Sequence, residues 1–160
     1  MVSCSRRAAL GLLAALAVSA CARPDAAEQE AIATRSVPLY PNETPELRRL
    51  IEAAARENDV PVELVQRVIV RESTHRPGAR NGPYYGLMQI LPGTARTMGF
   101  RGQPSDLLDA ETNLRYAVRY LRGAWLLSDG SHDRAVMWYA RGYYYEAKRR
   151  GMLRETGLRT

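Results

Sequence analysis

Cysteine and histidine are scarce, with two of each in 160 residues. No Cys-x-x-Cys pair and no His-Glu-x-x-His run occurs, and neither histidine sits in a cluster of carboxylates. The common zinc sites are thereby excluded, and no metal is expected. Gly-x-x-x-x-Gly-Lys-Ser/Thr and Gly-x-Gly-x-x-Gly are also absent. That removes the usual P-loop NTPases and dinucleotide enzymes, so no cofactor is expected either. No internal repeat appears, which excludes solenoids and propellers. The uncharged run 8–18 is too short to cross a bilayer, which takes about twenty residues as a helix. What remains is a soluble composition, 46% hydrophobic and 25% charged, of a length suited to one domain. Lys+Arg 23 against Asp+Glu 17 leaves +6, a balance that suits polyanionic partners.

Residues 1–20 read as a signal peptide. Arg6 and Arg7 precede the apolar run, and the small residues Ser19 and Ala20 follow it. Val18-Ser19-Ala20-Cys21 resembles a bacterial lipobox. The resemblance implies lipidation of Cys21 and a membrane-bound lipoprotein on the periplasmic face of the outer membrane, with a soluble periplasmic protein as the alternative. Each buried acyl methylene contributes about 0.8 kcal/mol, so several chains on one cysteine hold a protein in its membrane. Residues 21–43 carry Pro24, Pro38 and Pro41 without a sustained period and are expected to form a flexible tether. Export argues against nucleic acid as the partner of Arg48-Arg49 and Lys148-Arg149-Arg150, which are expected to be solvated helix faces.

From residue 44 the pattern is helical, and residues 44–153 are taken as one mainly α domain with a short tail, 154–160. Thr44-Pro45-Glu46 is a helix start, followed by Leu47, Leu50, Ile51 and Ala54 at helical spacing. A second helix near Pro61 aligns Leu64, Val65, Val68 and Ile69. Pro77, Gly78, Gly82 and Pro83 mark an irregular loop or small hairpin. A short helix from Pro92 stops at Gly99. Asp109 is expected to cap a long helix carrying Leu114, Ala117, Val118, Leu121 and Trp125, and Asp133 the next, with Ala135, Trp138 and Tyr139. Residues 143–150 are expected to be helical as well. Nothing in the pattern specifies an oligomeric state.

Glu72 stands out on physical grounds. It extends the stripe of Val65, Val68 and Ile69 by seven, four and three residues, and it lies in the last turn, where the helix dipole disfavours negative charge. Both effects raise a carboxyl pKa, the condition a general acid needs at neutral pH. A carboxylate turned to solvent at a frayed helix end fits the same spacing.

Four blocks then follow in order: Glu72-Ser73; Gly86-Leu87-Met88-Gln89-Ile90 with Pro92 and Thr94-Ala95; Asp109 to Asn113-Leu114 with Tyr120-Leu121; and Tyr139 with Gly142. Together they span about residues 47–145. The set resembles the lytic transglycosylases of the goose-type lysozyme superfamily. It implies a lysozyme-like SLT domain acting on peptidoglycan glycan strands, with the cleft between the Glu72 helix and the 86–90 loop. Glu72 would be the catalytic acid and then base in cleaving the bond between N-acetylmuramic acid and N-acetylglucosamine, leaving a 1,6-anhydro end. Tyr139 would donate a hydrogen bond to Glu72. Gln89 and the backbone around Met88 would hold sugar groups, and Ser73 would either contact sugar or cap its helix. Tyr84, Tyr85, Tyr143, Tyr144 and Tyr145 offer flat faces for sugar rings or core filling. His75 and His132 read as loop residues. Asp106 and Asp109 could supply a second carboxylate but read better as helix caps.

The chain departs from the family pattern at Ala140, where Asn is usual, and at Tyr143-Tyr144-Tyr145, which replace a frequent Gly-Pro. His75 stands for an aromatic residue and Ala117 for a glycine. These changes bear on subsite shape more than on the chemistry. A muramidase that uses water and a catalytically silent peptidoglycan-binding lipoprotein are the rival readings.

Overall fold

The computed structural model of the protein describes residues 37–159. The expected signal peptide, Cys21 and residues 22–36 of the expected tether lie outside the described residues. Among those described, six α-helices, a 3-10 helix and a minimal hairpin make a mainly α domain. Helix α1 (Pro45–Glu57) opens as its sequence dictates: the Thr44 hydroxyl accepts from Leu47 N–H at 3.1 Å, with proline at the start. Leu47, Ile51, Ala54 and Ala55 form its buried face. Helix α2 (Val62–Glu72) buries Leu64, Val65, Val68 and Ile69, and also Gln66. Strands β1 (Arg80–Asn81) and β2 (Tyr84–Tyr85) pair antiparallel, so the expected irregular loop contains a hairpin.

Helix α3 (Pro92–Thr97) and the 3-10 helix Pro104–Leu108 lead into α4 (Ala110–Leu126), against which α1, α3, α5 and the 3-10 helix all pack. The Asp109 carboxylate caps α4 by accepting from Thr112 N–H at 2.8 Å. Helix α5 (His132–Arg141) is capped by Ser131, whose hydroxyl accepts from Arg134 N–H at 3.3 Å. The expected cap Asp133 instead lies in the first turn and pairs with Arg67 of α2. A hydroxyl one residue before the helix reaches the free N–H groups, and the carboxylate is left for a partner across the interface. Helix α6 (Tyr144–Arg149) follows, and Thr156 in the C-terminal segment is buried. His132 is the first residue of α5, its ring edge-on to Trp125, rather than a loop residue.

The end of the expected tether is packed onto the domain. The buried Glu43 carboxylate accepts hydrogen bonds from Arg48 Nε and Nη2, both at 2.6 Å, from Gln66 Nε2 at 2.8 Å and from Tyr40 N–H at 2.9 Å. Arg48 is therefore half of a largely buried ion pair and not a solvated face. His75 lies in a loop, yet its ring is wholly buried, stacked against Tyr40 with centroids 5.0 Å apart. Its Nε2 is 2.6 Å from Gln66 Oε1. Because that amide already donates to Glu43, His75 Nε2–H must be the donor, and burial keeps the ring neutral by lowering its pKa.

Burial alone would raise the Glu43 carboxyl, but the hydrogen bonds from Arg48, Tyr40 and Gln66 and the Arg48 charge outweigh it, holding the group at about 2 against the ordinary 4.5. A depressed carboxyl contributes stability above its unfolded pKa and loses it as pH falls through the folded one. Glu43→Ala should therefore cost about 3 kcal/mol at pH 7. In urea titrations the gap from wild type should close as pH falls from 4.5 towards 2. A wild-type midpoint in the variant would show that this ion pair does not anchor the segment.

Candidate active site

Glu72 is the last residue of α2, directly above the buried stripe that places it. Its side chain is 23% exposed, and its ionic neighbour is Arg71, with Nε 3.6 Å from Oε1. Desolvation raises its pKa, and the Arg71 charge offsets this only in part. The next residues turn the chain sharply: Thr74 and His75 both take left-handed backbone, with φ of 52° and 58°. That geometry is unfavourable for a β-branched residue. Residues 40–43 hold it in place, through Tyr40 on the His75 ring and Asn42 Nδ2 donating to the Thr74 carbonyl at 2.9 Å.

The facing wall is the segment 86–90, and Asn113 of α4 builds it. Asn113 is fully buried and donates from Nδ2 to the carbonyls of Tyr85 and Leu107, each at 2.8 Å. Its Oδ1 accepts from Met88 N–H at 3.0 Å. Gly86 passes so close that a Cβ there would lie 2.2 Å from the Leu107 carbonyl and 2.3 Å from Asn113 Nδ2, and its φ is +74°. Glycine is required on both counts. Gln89, at φ 48°, closes the turn by donating from Nε2 to Gly86 and Ala79 carbonyls at 2.8 and 3.1 Å.

Of the expected site residues, Glu72, Gln89 and Tyr139 line one hollow of about 320 Å³, together with Tyr84, Asn81 and Ala140. It continues into hollows of about 460 Å³ towards Arg76 and Arg80 and about 280 Å³ towards Arg141 and Gly142. The three make one groove, in which the small side chain of Ala140 sits on the wall. Ser73 does not reach it. Ser73 is buried, ends α2, and its hydroxyl points back to the Ile69 carbonyl at 3.5 Å, which selects capping over sugar contact. The Met88 side chain is in the core, its N–H is held by Asn113, and its carbonyl accepts the Tyr139 hydroxyl at 2.9 Å.

That last bond takes the proton expected to go to Glu72, because a buried carbonyl needs a donor and α5 supplies Tyr139 beside it. Tyr139 remains near the carboxylate: burial first, and then the Glu72 charge, push its hydroxyl well above its ordinary pKa. Among the other tyrosines, Tyr84 lines the groove and Tyr85 lies under Arg80, 4.8 Å from the guanidinium carbon to the ring centre. Tyr143 is core, its hydroxyl donating to the Tyr120 carbonyl at 2.9 Å, while Tyr144 and Tyr145 are exposed. Asp106 caps the start of the 3-10 helix by accepting from Gln103 N–H at 2.8 Å, and neither it nor Asp109 lines the groove.

Sequence reasoning did not assign Asn113 or Gln66 to the architecture of the site. The available signal was a polar residue on an otherwise buried stripe: Asn113 lies four residues before Ala117 and eight before Leu121. The described domain is mainly α, with one half-buried carboxylate lining its groove. The family model of the transglycosylase SLT domain matches residues 49–152, and the chain belongs to that family. No curated protein and no solved structure matches it. Family membership carries transglycosylase or lysozyme-like activity on peptidoglycan.

Glu72 should titrate above the ordinary 4.5 in carbon-13 NMR. A raised carboxyl contributes stability below its unfolded pKa and loses it as pH rises through the folded one. Glu72→Gln should therefore melt above wild type at neutral pH, with the advantage gone in acid. Identical melts across the range would show that Glu72 carries no desolvation strain.

Proposed function

We propose that the protein is a lytic transglycosylase that cleaves the β-1,4 bond between N-acetylmuramic acid and N-acetylglucosamine and leaves a 1,6-anhydromuramic end. One observation carries this reading: among the described residues, Glu72 is the only carboxylate lining the groove. Hydrolytic glycosidases ordinarily use two carboxyl groups, about 5–5.5 Å apart when retaining and about 6.5–9.5 Å apart when inverting. Here one group serves twice. Protonated Glu72 gives its proton to the glycosidic oxygen as the C1–O4 bond breaks. The resulting carboxylate takes the proton of the muramic C6 hydroxyl as O6 bonds to C1. The acid is regenerated and no water is consumed. The raised pKa of Glu72 supports the first step, and the Tyr139 hydroxyl, committed to the Met88 carbonyl, does not occupy the carboxylate in the second. Gln89, Tyr84 and Tyr139 line the groove where sugar rings would lie, while Asn113 braces its wall from behind.

Glu72→Gln should lose activity by about a hundred- to ten-thousand-fold, the typical worth of positioned acid–base catalysis, since an amide does neither job. Binding of glycan strands should survive. Mass spectrometry of wild-type digests should show muropeptides lighter by one water than hydrolysis products. Reducing ends throughout would make the protein a water-using muramidase, and intact strands with retained binding would make it a silent scaffold.

The same reading puts the enzyme at the cell envelope as a lipoprotein anchored through Cys21, supported by the lipobox-like Val18-Ser19-Ala20-Cys21. Cys21→Ser should move the protein from the membrane fraction to the soluble envelope fraction. Wild type already in the soluble fraction would overturn the anchor.

A further inference from the structure

The charge around Glu72 is lopsided. Four arginines line the groove, Arg71, Arg76, Arg80 and Arg141, against the single carboxylate of Glu72. Arg71 lies beside Glu72. The other three have no acidic partner among the described residues, in contrast to Arg48, Arg67, Arg149 and Arg150, each paired with a carboxylate. Two of them are nevertheless held. Arg76 donates from Nε to the Ser73 carbonyl at 2.9 Å. Arg80 lies over the Tyr85 ring, with its Nε towards the Gly82 carbonyl at 3.4 Å. In both, Nε is used on the backbone and the terminal guanidinium nitrogens stay available. Arg141, at the far end of the groove in the last turn of α5, has its Nη1 3.8 Å from the Met137 sulfur.

Like charges gathered along a groove without internal compensation are disfavoured, and a ligand that brings negative charge relieves that repulsion. An arginine oriented by a backbone bond and an aromatic face loses less side-chain freedom when it accepts a carboxylate, and its planar fork suits that group. A neutral glycan backbone offers these arginines nothing to pair with.

We infer that the groove selects glycan strands bearing free carboxylates on both sides of the scissile bond, gripped by Arg76 and Arg80 at one end and Arg141 at the other. This rests on the reading of the groove as the glycan site. The carboxylates have two possible sources, the peptide stems carried by muramic residues and the lactyl carboxylate that a stripped muramic residue exposes. The chemistry recognised is the same.

The test is equilibrium binding of soluble strands to Glu72→Gln, which needs no turnover. Four preparations are compared: strands with stems, strands stripped of stems, and each of these after its carboxyls are amidated. Amidation should weaken binding about tenfold, as should the added Arg76→Gln/Arg80→Gln/Arg141→Gln substitutions, since each exposed pair contributes modestly. The two effects should not add, and binding to unmodified strands should weaken with salt. Weaker binding of stripped than of stem-bearing strands assigns the grip to the stems, tighter binding of stripped strands assigns it to the lactyl group, and equal binding shows that either carboxylate serves. Because Arg76 also braces Ser73, the Arg80→Gln/Arg141→Gln pair is measured separately and should show most of the loss. Equal affinity for amidated and unmodified strands, or wild-type affinity in the folded pair variant, overturns the inference. A wild type that cleaves no strand while its binding follows the carboxylates would overturn the transglycosylase reading and leave this one standing.

Discussion

A single buried amide holds the groove open. Asn113 spends both donor hydrogens and its acceptor on three backbone groups from two segments, the 85–88 turn and the end of the 3-10 helix. The Tyr85 carbonyl also accepts from Ile90 N–H at 3.1 Å, but the Met88 N–H and the Leu107 carbonyl rely on the amide, and leaving either unpaired in the core costs about 1–3 kcal/mol. The amide thereby ties an irregular segment to α4 as a fixed wall. Gly86 completes the arrangement, because any larger residue would push the turn away from the amide that secures it.

On the opposite wall a conflict is built in. Folding favours an apolar or neutral group at the end of α2, whereas the proposed chemistry needs an acid there. The acid sits half-desolvated above Val68 and Ile69 with one flanking arginine. The chain just beyond it runs through two left-handed residues that are locally unfavourable. Compensation comes from the segment 38–43, which buries Glu43 against Arg48 and Gln66 and closes over His75. This clamp lies mostly before residue 49, where the match to the family begins. It stiffens the site from outside the part of the chain the family shares.

Much of the helical architecture was legible because its rules are local. Caps at Thr44 and Asp109, the proline at the head of α1 and the spacing of Leu114, Ala117, Val118 and Leu121 each act within a few turns. The position of Glu72 at the end of an apolar stripe was legible for the same reason, but a solvent-turned carboxylate fitted that spacing too, and its expected role came from the resemblance of the four blocks. The polar residues were not legible. Ser73, Tyr139 and Met88 all carry groups that could face a sugar, and the chain order offers no ranking among their possible partners. Arg48 and His75 looked like surface features because their partner Glu43 was read as part of a tether.

The sequence by itself thus determined the helices, the family they belong to and the residue on which the chemistry is proposed to turn. Tertiary structure decided which hydrogen-bonding groups remain available to a substrate. Periodicity and capping are summed over neighbours in the chain, so they can be read along it. A hydroxyl, amide or guanidinium instead takes whichever partner the packed fold brings within about 3 Å. Tyr139 went to a buried carbonyl and Arg48 to a buried acid, while Arg76, Arg80 and Arg141 were left facing the groove.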